Sequence, residues 1–419
     1  MDRERAEHYL RTEAEAELRR PEPDLRRVTW IADVLTVIGA LDEAMANQIV
    51  DDFRLTHILH RGDERALGRF QPRSTRLKYA FYPPVPVTLT VVPVGRVVEI
   101  RELGAEMVVL SYAETASGAL IAATGRVYGP SGSEALSFHV QPDILRFTAT
   151  DDRGASYGVS YFCSGNPAGE WMLQLHPRPQ PTPGWLDLAA AEGEPPARLD
   201  LSRPADKADV TIGPATLSPG ELLLTRLAAD LLTLEPPDRL SRIAEPDGLD
   251  DIIAALRSCD ALPSASPVPG QLVSLTAAFR GESPVLPEPW ADVLAHRAVT
   301  PAQPSFAVVT AVLPEIDGVT VAILGLHTYP DGTILHTYFS GLTARFGPQQ
   351  RDVTPLLWIL DSDGHWHLTV DIAGTTVTDG ESLARLRVIP PLGPGTDWIE
   401  VHAVGQSADV RARLPLRWL

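Results

Sequence analysis

Alternating apolar and polar residues dominate two stretches of the chain, residues 80–205 and 302–419. Runs such as RVVEI, HLTVDI and WIEVHAV alternate with the period of two that a β-strand with one buried face produces. Glycine, proline and aspartate separate these runs about every ten residues, which indicates tight turns. We therefore predict a mainly β protein with helical segments, in which each stretch forms an antiparallel β-sandwich of about seven strands in the immunoglobulin-like size range.

The two β stretches resemble copies of one module. Three pairs of segments match at an offset of 210 to 214 residues. These pairs are VVLSYAETASGALI (108–121) with AILGLHTYPDGTIL (322–335), DDRGASYGV (151–159) with DSDGHWHLT (361–369), and WLDL (185–188) with WIEV (398–401). Unrelated dipeptides would not keep one offset over about a hundred residues, so the pattern predicts a tandem duplication. We expect Trp185 and Trp398 to anchor the two cores, because buried rings dominate core energetics.

Helical periodicity precedes each β module. Residues 26–62 place apolar side chains at helical spacing, with a break at GALDE, and this predicts a helical hairpin. Residues 218–234 read SPGELLLTRLAADLLTL, where Ser218 can cap a helix and Pro219 suits its first turn. The predicted layout has four segments: an N-terminal helical region (1–79), a first β module (80–205), a central helical and proline-rich region (206–301) and a second β module (302–419).

The charge and the termini limit the classes of partner. A formal net charge of −18 opposes binding to nucleic acid or to anionic membranes, which both need a positive surface. The charged N-terminal segment lacks the apolar stretch of a signal peptide, so we expect a cytoplasmic protein. Two isolated cysteines form neither a disulfide framework nor a zinc motif. The sequence leaves the oligomeric state open.

The segment DSDGHWHLTV (361–370) is either a metal site or a tight turn between strands. Its glycine comes fourth, whereas an EF-hand calcium loop needs glycine sixth and a bidentate glutamate twelfth. A zinc site would need ligands beyond His365 and His367. The other module keeps the aspartate and the glycine but carries Ala155 and Tyr157 in place of the two histidines. What the copies share is turn chemistry, so we predict a hairpin.

Two further histidines, His327 and His336, flank the glycine turn of LHTYPDGTILHTY. Together with His365 and His367 they lie in the second module, and they would form a metal site only if their strands brought three of them within about 4 Å of one point. The sequence contains no G-x-S-x-G elbow, G-x-G-x-x-G loop or P-loop. We therefore predict no catalytic, cofactor or metal residues, and keep the four histidines as candidates for the alternative.

The leading hypothesis is a non-enzymatic scaffold whose two helix-plus-sandwich repeats bind another protein. It rests on the duplication, which preserves turns and core positions but no polar constellation, and on the wide apolar faces of the helices. The stripe LLLTRLAADLLTL is the strongest such face, and burial against its own module is the favoured interpretation. The alternative is an enzyme, or a protein that binds a small molecule or metal, with its site in the second module or between the halves.

Overall fold

A computed structural model describes most of the chain beyond residue 88 and parts of two helical segments before it. The described residues are 8, 10, 12–13, 16–17, 25–40, 89–100, 105–115, 118–127, 147–164, 170–176, 179, 182–190, 194–203, 208–232, 246–279, 281–286, 288–295, 305–329, 332–341, 355–378, 381–393 and 395–419. The predicted second arm of the N-terminal hairpin lies outside them.

The first half forms one antiparallel sheet of eight strands. These are β1 (Thr90–Ile100), β2 (Ala105–Thr115), β3 (Gly118–Val127), β4 (Thr148–Asp151), β5 (Ser156–Ser164), β6 (Glu170–His176), β7 (Trp185–Ala189) and β8 (Ala197–Asp200). They follow the order β1-β2-β3-β6-β5-β4-β7-β8. The sheet curls, so that its two outer strands approach each other and one face of all eight strands encloses a common core.

The second half, with one strand from the central region, forms an 11-stranded antiparallel sheet. Its strands are β9 (Asp209–Pro214), β10 (Ser305–Val308), β11 (Ala311–Val312), β12 (Thr320–Tyr329), β13 (Gly332–Ser340), β14 (Leu356–Asp361), β15 (Trp366–Thr378), β16 (Glu381–Ile389), β17 (Trp398–Val404), β18 (Ala408–Pro415) and β19 (Arg417–Trp418). The order is β19-β10-β12-β13-β16-β15-β14-β17-β18-β9, with β11 beside β12.

The two sheets share their strand order. The sequence β2-β3-β6-β5-β4-β7-β8 in the first corresponds position by position to β12-β13-β16-β15-β14-β17-β18 in the second. The β2–β3 register shifts between Val109 and Ser111, and the β12–β13 register shifts at the corresponding place, between Ile323 and Gly325. A mainly β chain is therefore confirmed. The strands of each half nevertheless belong to one continuous sheet, whereas an immunoglobulin-like sandwich divides them between two facing sheets.

Helices cover one face of the second sheet. Within the described part of the chain they are α1 (Leu25–Val37), α2 (Pro219–Leu232), α3 (Pro246–Ser258), α4 (Val268–Phe279) and α5 (Trp290–Ala295). Their apolar residues form one cluster with Leu356 and Trp358 of β14 and Leu368 and Val370 of β15. The stripe predicted on α2 is thus buried within its own chain, as the favoured interpretation held. None of these helices is long and apolar enough to span a membrane.

The sequence explains why the helices cover the second sheet. Trp358 and Leu368 face each other across β14 and β15, and both are buried under the helices. The residues at the corresponding places of β4 and β5 are Thr148 and Gly158, which also face each other and are exposed. Burying two large apolar side chains stabilises a helix layer by about 3–6 kcal/mol, and the polar first sheet offers no equivalent gain.

The two sheets pack against each other through corresponding hairpins. Ala113 of β2 and Ala122 of β3 share one buried cluster with Ala322 and Leu324 of β12 and Tyr338 of β13. A methyl group added at Gly325 of β12 would lie 2.7 Å from Leu110 Cδ1 of β2, so the backbone of one half approaches the side chains of the other closely. This face-to-face contact joins the halves.

Two details differ from the sequence-based expectations. Strand β9 (Asp209–Pro214) lies in the segment predicted to be helical and proline-rich, where it pairs with β18 at the edge of the second sheet. The prediction that Trp185 and Trp398 anchor the cores is wrong. Both rings are only partly buried, on the outer faces, while the neighbouring Leu186 and Ile399 are completely buried.

Candidate functional site

The DSDGHWH segment is a hairpin turn, and the first half contains the same turn. Asp361 Oδ1 accepts hydrogen bonds from the backbone N–H groups of Asp363 (2.9 Å) and His365 (2.8 Å). Asp151 Oδ1 accepts the corresponding bonds from Arg153 (2.9 Å) and Ala155 (2.8 Å). The glycine three positions after each aspartate has a positive φ, 78° in the first turn and 84° in the second. Both aspartates act as buried braces of their turns.

The second carboxylate oxygen of each brace binds the side chain six positions later. Asp151 Oδ2 accepts a bond of 2.8 Å from the Tyr157 hydroxyl and one of 2.7 Å from Arg153. Asp361 Oδ2 lies 3.2 Å from His367 Nε2, and His367 Nδ1 lies 2.7 Å from the carbonyl oxygen of Pro390. His367 therefore serves the turn and an adjacent chain segment.

Electrostatics explain how these buried carboxylates stay ionised. Burial opposes the charge on Asp361, but hydrogen bonds from His367, His365 and Asp363 outweigh it and hold the pKa below 3.8. At Asp151 burial is likewise outweighed by Arg153, Tyr157 and the two backbone donors, and the pKa falls below its usual range. In both turns the aspartate is a structural anchor whose two carboxylate oxygens each accept a hydrogen bond.

The histidines His327 and His336 form a buried pair. Although they are not directly opposed in the β12–β13 register, His327 Nδ1 lies 2.9 Å from His336 Nε2. The rings of Phe306 and Tyr329 lie 6.4 and 5.4 Å from the His327 ring. Burial, His336 and Arg385 all lower the pKa of His327 well below 6.5, so the His327 ring is neutral at pH 7.

The four candidate histidines do not converge. His327 and His336 contact each other between the sheets, whereas His365 and His367 belong to the β14–β15 turn. Among the residues that the structure describes, no three histidine, cysteine, aspartate or glutamate side chains lie close enough together to hold a metal ion. The arrangement that the alternative hypothesis needs is therefore not formed by these residues.

A tryptophan, an acid and an arginine form a surface cluster on the first sheet. On β7, Trp185 and Asp187 point outward, and they alternate with Leu186 and Leu188, which are buried. Arg198 of β8 makes two bonds of 2.9 Å to the Asp187 carboxylate, and its guanidinium carbon lies 3.7 Å from the centre of the Trp185 ring. The arginine side chain is 59% exposed. This arrangement is called the first Trp–Arg cluster below.

The second sheet carries a related cluster on β17 and β18, in which the arginine–tryptophan contact recurs and the acid binds a different partner. The guanidinium carbon of Arg413 lies 3.6 Å from the Trp398 ring centre, and Arg413 is directly opposed to Glu400. Glu400 also lies 2.5 Å from His402 Nε2, and the His402 ring meets the edge of Trp366 at 4.8 Å. Trp366 packs against the helical cluster, so this second Trp–Arg cluster reaches the edge of the helical layer.

Sequence reasoning identified the tryptophans and acids as matching residues but missed the clusters. The sequence did indicate that the tryptophan is on the outer face. Trp185 and Asp187 are two residues apart on one strand and so share a face, and an acidic residue normally faces solvent. The offset between the two tryptophans would match Arg198 to Arg411, but Arg411 is opposed to His402, and the strand register places Arg413 opposite the acid. At this point the structurally equivalent residues, Arg198 and Arg413, are two residues further apart in sequence than the two tryptophans are.

Comparisons with known proteins leave the family open. No protein-family model matches the chain, and no curated protein matches it. Among solved structures, the chain is similar to "the conserved domain protein from Bacillus anthracis", at 8% sequence identity over 78% of this chain and 90% of that chain, with a TM-score of 0.16. A TM-score this low carries no argument about fold or function. The functional argument therefore rests on the described residues.

Proposed function

We propose that this protein is a non-enzymatic scaffold that binds another protein through its two Trp–Arg clusters. The observation that supports this proposal is the recurrence of the cluster. In both halves a tryptophan, an acid two residues later and an arginine from the next strand occupy the outer face.

Stability alone is a weak reason for keeping such a cluster twice. An exposed ion pair contributes about 0–1 kcal/mol, and an exposed cation–π contact contributes about 0.5–1 kcal/mol. Tryptophan and arginine are, however, the residue types most enriched among side chains that dominate protein–protein binding energy. The ring in both clusters, together with the acid in the first, holds the arginine in place before binding, which reduces the entropy lost when a partner docks.

We also propose that the two halves arose by duplication of one module. The common strand order, the matching register shifts and the two aspartate-braced turns all support it. The repeated unit is a curled antiparallel sheet in this proposal. The helices are not part of the repeat, because α1 and α2 lie in one cluster over the second sheet.

The helices are less suitable than the sheets as the docking surface. Leu222, Leu224 and Leu231 of α2 are buried within the chain, and so are Ile31 and Leu35 of α1. Their apolar faces therefore need no further partner. The alternative of a metal site in the second module loses its motivation, since the histidines on which it depended lie in two separate pairs.

The test is affinity capture from the native lysate with a variant that lacks both arginines, Arg198→Ala/Arg413→Ala. The proposal predicts a stoichiometric protein that the unaltered chain captures and that the double variant loses. The single variants should each weaken the capture, because two equivalent surfaces contribute. The matched control is Arg257→Ala, which removes an exposed arginine from the end of α3.

Equal capture by the unaltered chain and the double variant would contradict the proposal. So would loss of the same protein with the Arg257 control. Circular dichroism of every variant checks that the sheets remain folded, as expected for exposed arginines whose removal costs about 1 kcal/mol or less.

A further inference from the structure

The acids of the two Trp–Arg clusters have different partners. In the first cluster the Arg198 guanidinium donates two bonds of 2.9 Å to the Asp187 carboxylate, so this arginine is already paired. In the second cluster Glu400 Oε1 lies 2.5 Å from His402 Nε2 instead. Arg413 is directly opposed to Glu400, but no hydrogen bond or ion pair joins the two side chains within the described part of the chain. One half therefore provides its arginine with a carboxylate, and the other does not.

The Arg413 guanidinium is held by a ring but has no hydrogen-bond acceptor among the described residues. Its carbon lies 3.6 Å from the centre of the Trp398 ring, as that of Arg198 lies 3.7 Å from the Trp185 ring. A guanidinium that stacks on a ring keeps N–H groups at its edge, where a planar carboxylate can accept two parallel bonds. The first cluster contains this complete arrangement, because Asp187 supplies the carboxylate. Arg413 presents the same donors without an acceptor from the described chain.

A second exposed arginine, Arg411, lies beside Arg413 on the same face of β18. The two arginines alternate with Val410 and Ala412, which are buried, so both guanidinium groups are on the outer side of the sheet. Arg411 likewise has no hydrogen bond or ion pair with the residues that the structure describes. Two strand positions span about 7 Å, and an extended peptide places alternate side chains at the same spacing. The pair of arginines therefore matches two carboxylates at alternate positions of an extended segment.

The acids near the two arginines favour a carboxylate ligand over a phosphate. Glu400 is bound to His402, and exposed Asp209 of β9 is directly opposed to Arg413. Asp409, on the same face of β18, is buried. Burial outweighs the bond to Glu400 and lowers the pKa of His402 below 6.5, so this ring adds no positive charge at pH 7. These acids would repel a phosphate group, with a charge near −2, more strongly than a singly charged carboxylate.

We propose that the second Trp–Arg cluster recognises an acidic segment of the partner protein, in which two carboxylates at alternate positions of an extended chain bind Arg413 and Arg411. This inference rests on the proposed function and adds the chemistry of the partner. The carboxylate on Arg413 repeats the bond that Asp187 makes to Arg198 within the first half. The net charge of −18 repels an acidic segment at long range, so recognition depends on these short-range bonds.

Fluorescence anisotropy of labelled peptides with the full chain at pH 7.5 tests the proposal. One probe is a blocked hexapeptide in which glutamate and threonine alternate, and a second probe has glutamine in place of glutamate. The chain should bind the glutamate peptide at least about tenfold more tightly, because the bonds of an arginine to a carboxylate are charge-assisted. Arg413→Gln and Arg411→Gln should each weaken this binding about tenfold. The matched control is Arg257→Gln at the end of α3, which should leave the affinity unchanged.

Equal affinity for the glutamate and glutamine peptides would overturn the proposal. So would a larger loss with Arg198→Gln than with Arg413→Gln, because it would assign carboxylate binding to the first cluster. Tighter binding of a third peptide, with phosphoserine in place of glutamate, would overturn the choice of carboxylate. Capture from lysate separates this inference from the proposed function. A protein lost with Arg198→Ala/Arg413→Ala, together with no binding of the glutamate peptide, would contradict the acidic segment and leave the scaffold proposal standing.

Discussion

The Tyr157 hydroxyl and the His367 imidazole hold corresponding aspartates in the two halves. Each lies within hydrogen-bond distance of Oδ2 of the aspartate six positions earlier, at 2.8 Å from Asp151 and 3.2 Å from Asp361. The change from tyrosine to histidine therefore preserves the brace. The residues that made this segment look like a metal site are explained by the turn itself.

Removing the side chain that binds Oδ2 should lower the free energy of unfolding by different amounts in the two turns. Asp151 keeps Arg153 when Tyr157 is replaced by phenylalanine, so Tyr157→Phe should lower the free energy of unfolding by about 1 kcal/mol. Asp361 has His367 as its side-chain partner within the turn. His367→Phe should cost about 1–3 kcal/mol because it leaves the buried Asp361 Oδ2 without its side-chain hydrogen-bond partner. Urea unfolding measures both values, and equal costs would contradict this account.

Removal of a brace should be far more costly than removal of the exposed aspartate beside it. Asp361→Ala leaves the N–H groups of Asp363 and His365 without their acceptor, and we expect a loss of about 2–4 kcal/mol. Asp363→Ala changes an exposed side chain in the same turn and should cost less than about 0.5 kcal/mol. Thermal unfolding of the two variants checks the difference. Similar midpoints would mean that the carboxylate does not brace the turn.

Contact between the halves can be tested at Gly325. Gly325→Ala places a methyl group within 2.7–3.1 Å of three Leu110 side-chain atoms and should destabilise the protein by about 1–3 kcal/mol. The control is Gly213→Ala on the edge strand β9, where no heavy atom lies within 4 Å of the added methyl group. If Gly325→Ala is as stable as Gly213→Ala in urea, the sheets do not pack as described.

Burial of the α2 stripe predicts a strong effect of truncation. Leu224 is completely buried, so Leu224→Ala should lower the free energy of unfolding by about 2–5 kcal/mol. Val285, which is 94% exposed, provides the control, and Val285→Ala should change stability by less than about 0.5 kcal/mol. Unfolding monitored by tryptophan fluorescence compares the two, since Trp358 lies under the helices. A neutral Leu224→Ala would indicate that α2 docks on another chain.

Period-two alternation was sufficient to predict a mainly β protein, and turn chemistry was sufficient to predict the two aspartate turns. These features depend on local sequence, because a turn and a strand face are set within a few residues. Strand β9 was missed because a six-residue edge strand such as DVTIGP has little alternation to detect. Its position beside β18 depends on pairing with residues about 200 positions away, as in Asp209 with Arg413.

The sites show the same division between local and long-range information. Trp185 and Asp187 are two residues apart, so their common face follows from the sequence alone. The contact of His327 with His336, by contrast, is diagonal across two strands and depends on the register shift at Gly325. Which arginine covers each tryptophan is determined by the register between the two strands of the last hairpin in each half. Residue types alone do not determine these registers.

The most direct test of the central claim is oxidative footprinting of Trp185 and Trp398 in the purified chain and in the native lysate. Both rings are partly exposed beneath their arginines, so hydroxyl radicals should oxidise both in the purified protein. If the Trp–Arg clusters bind a partner protein, both tryptophans should be protected in lysate, and Arg198→Ala/Arg413→Ala should abolish the protection. Equal oxidation of the unaltered chain in the two conditions would contradict the claim that these clusters form its binding surface.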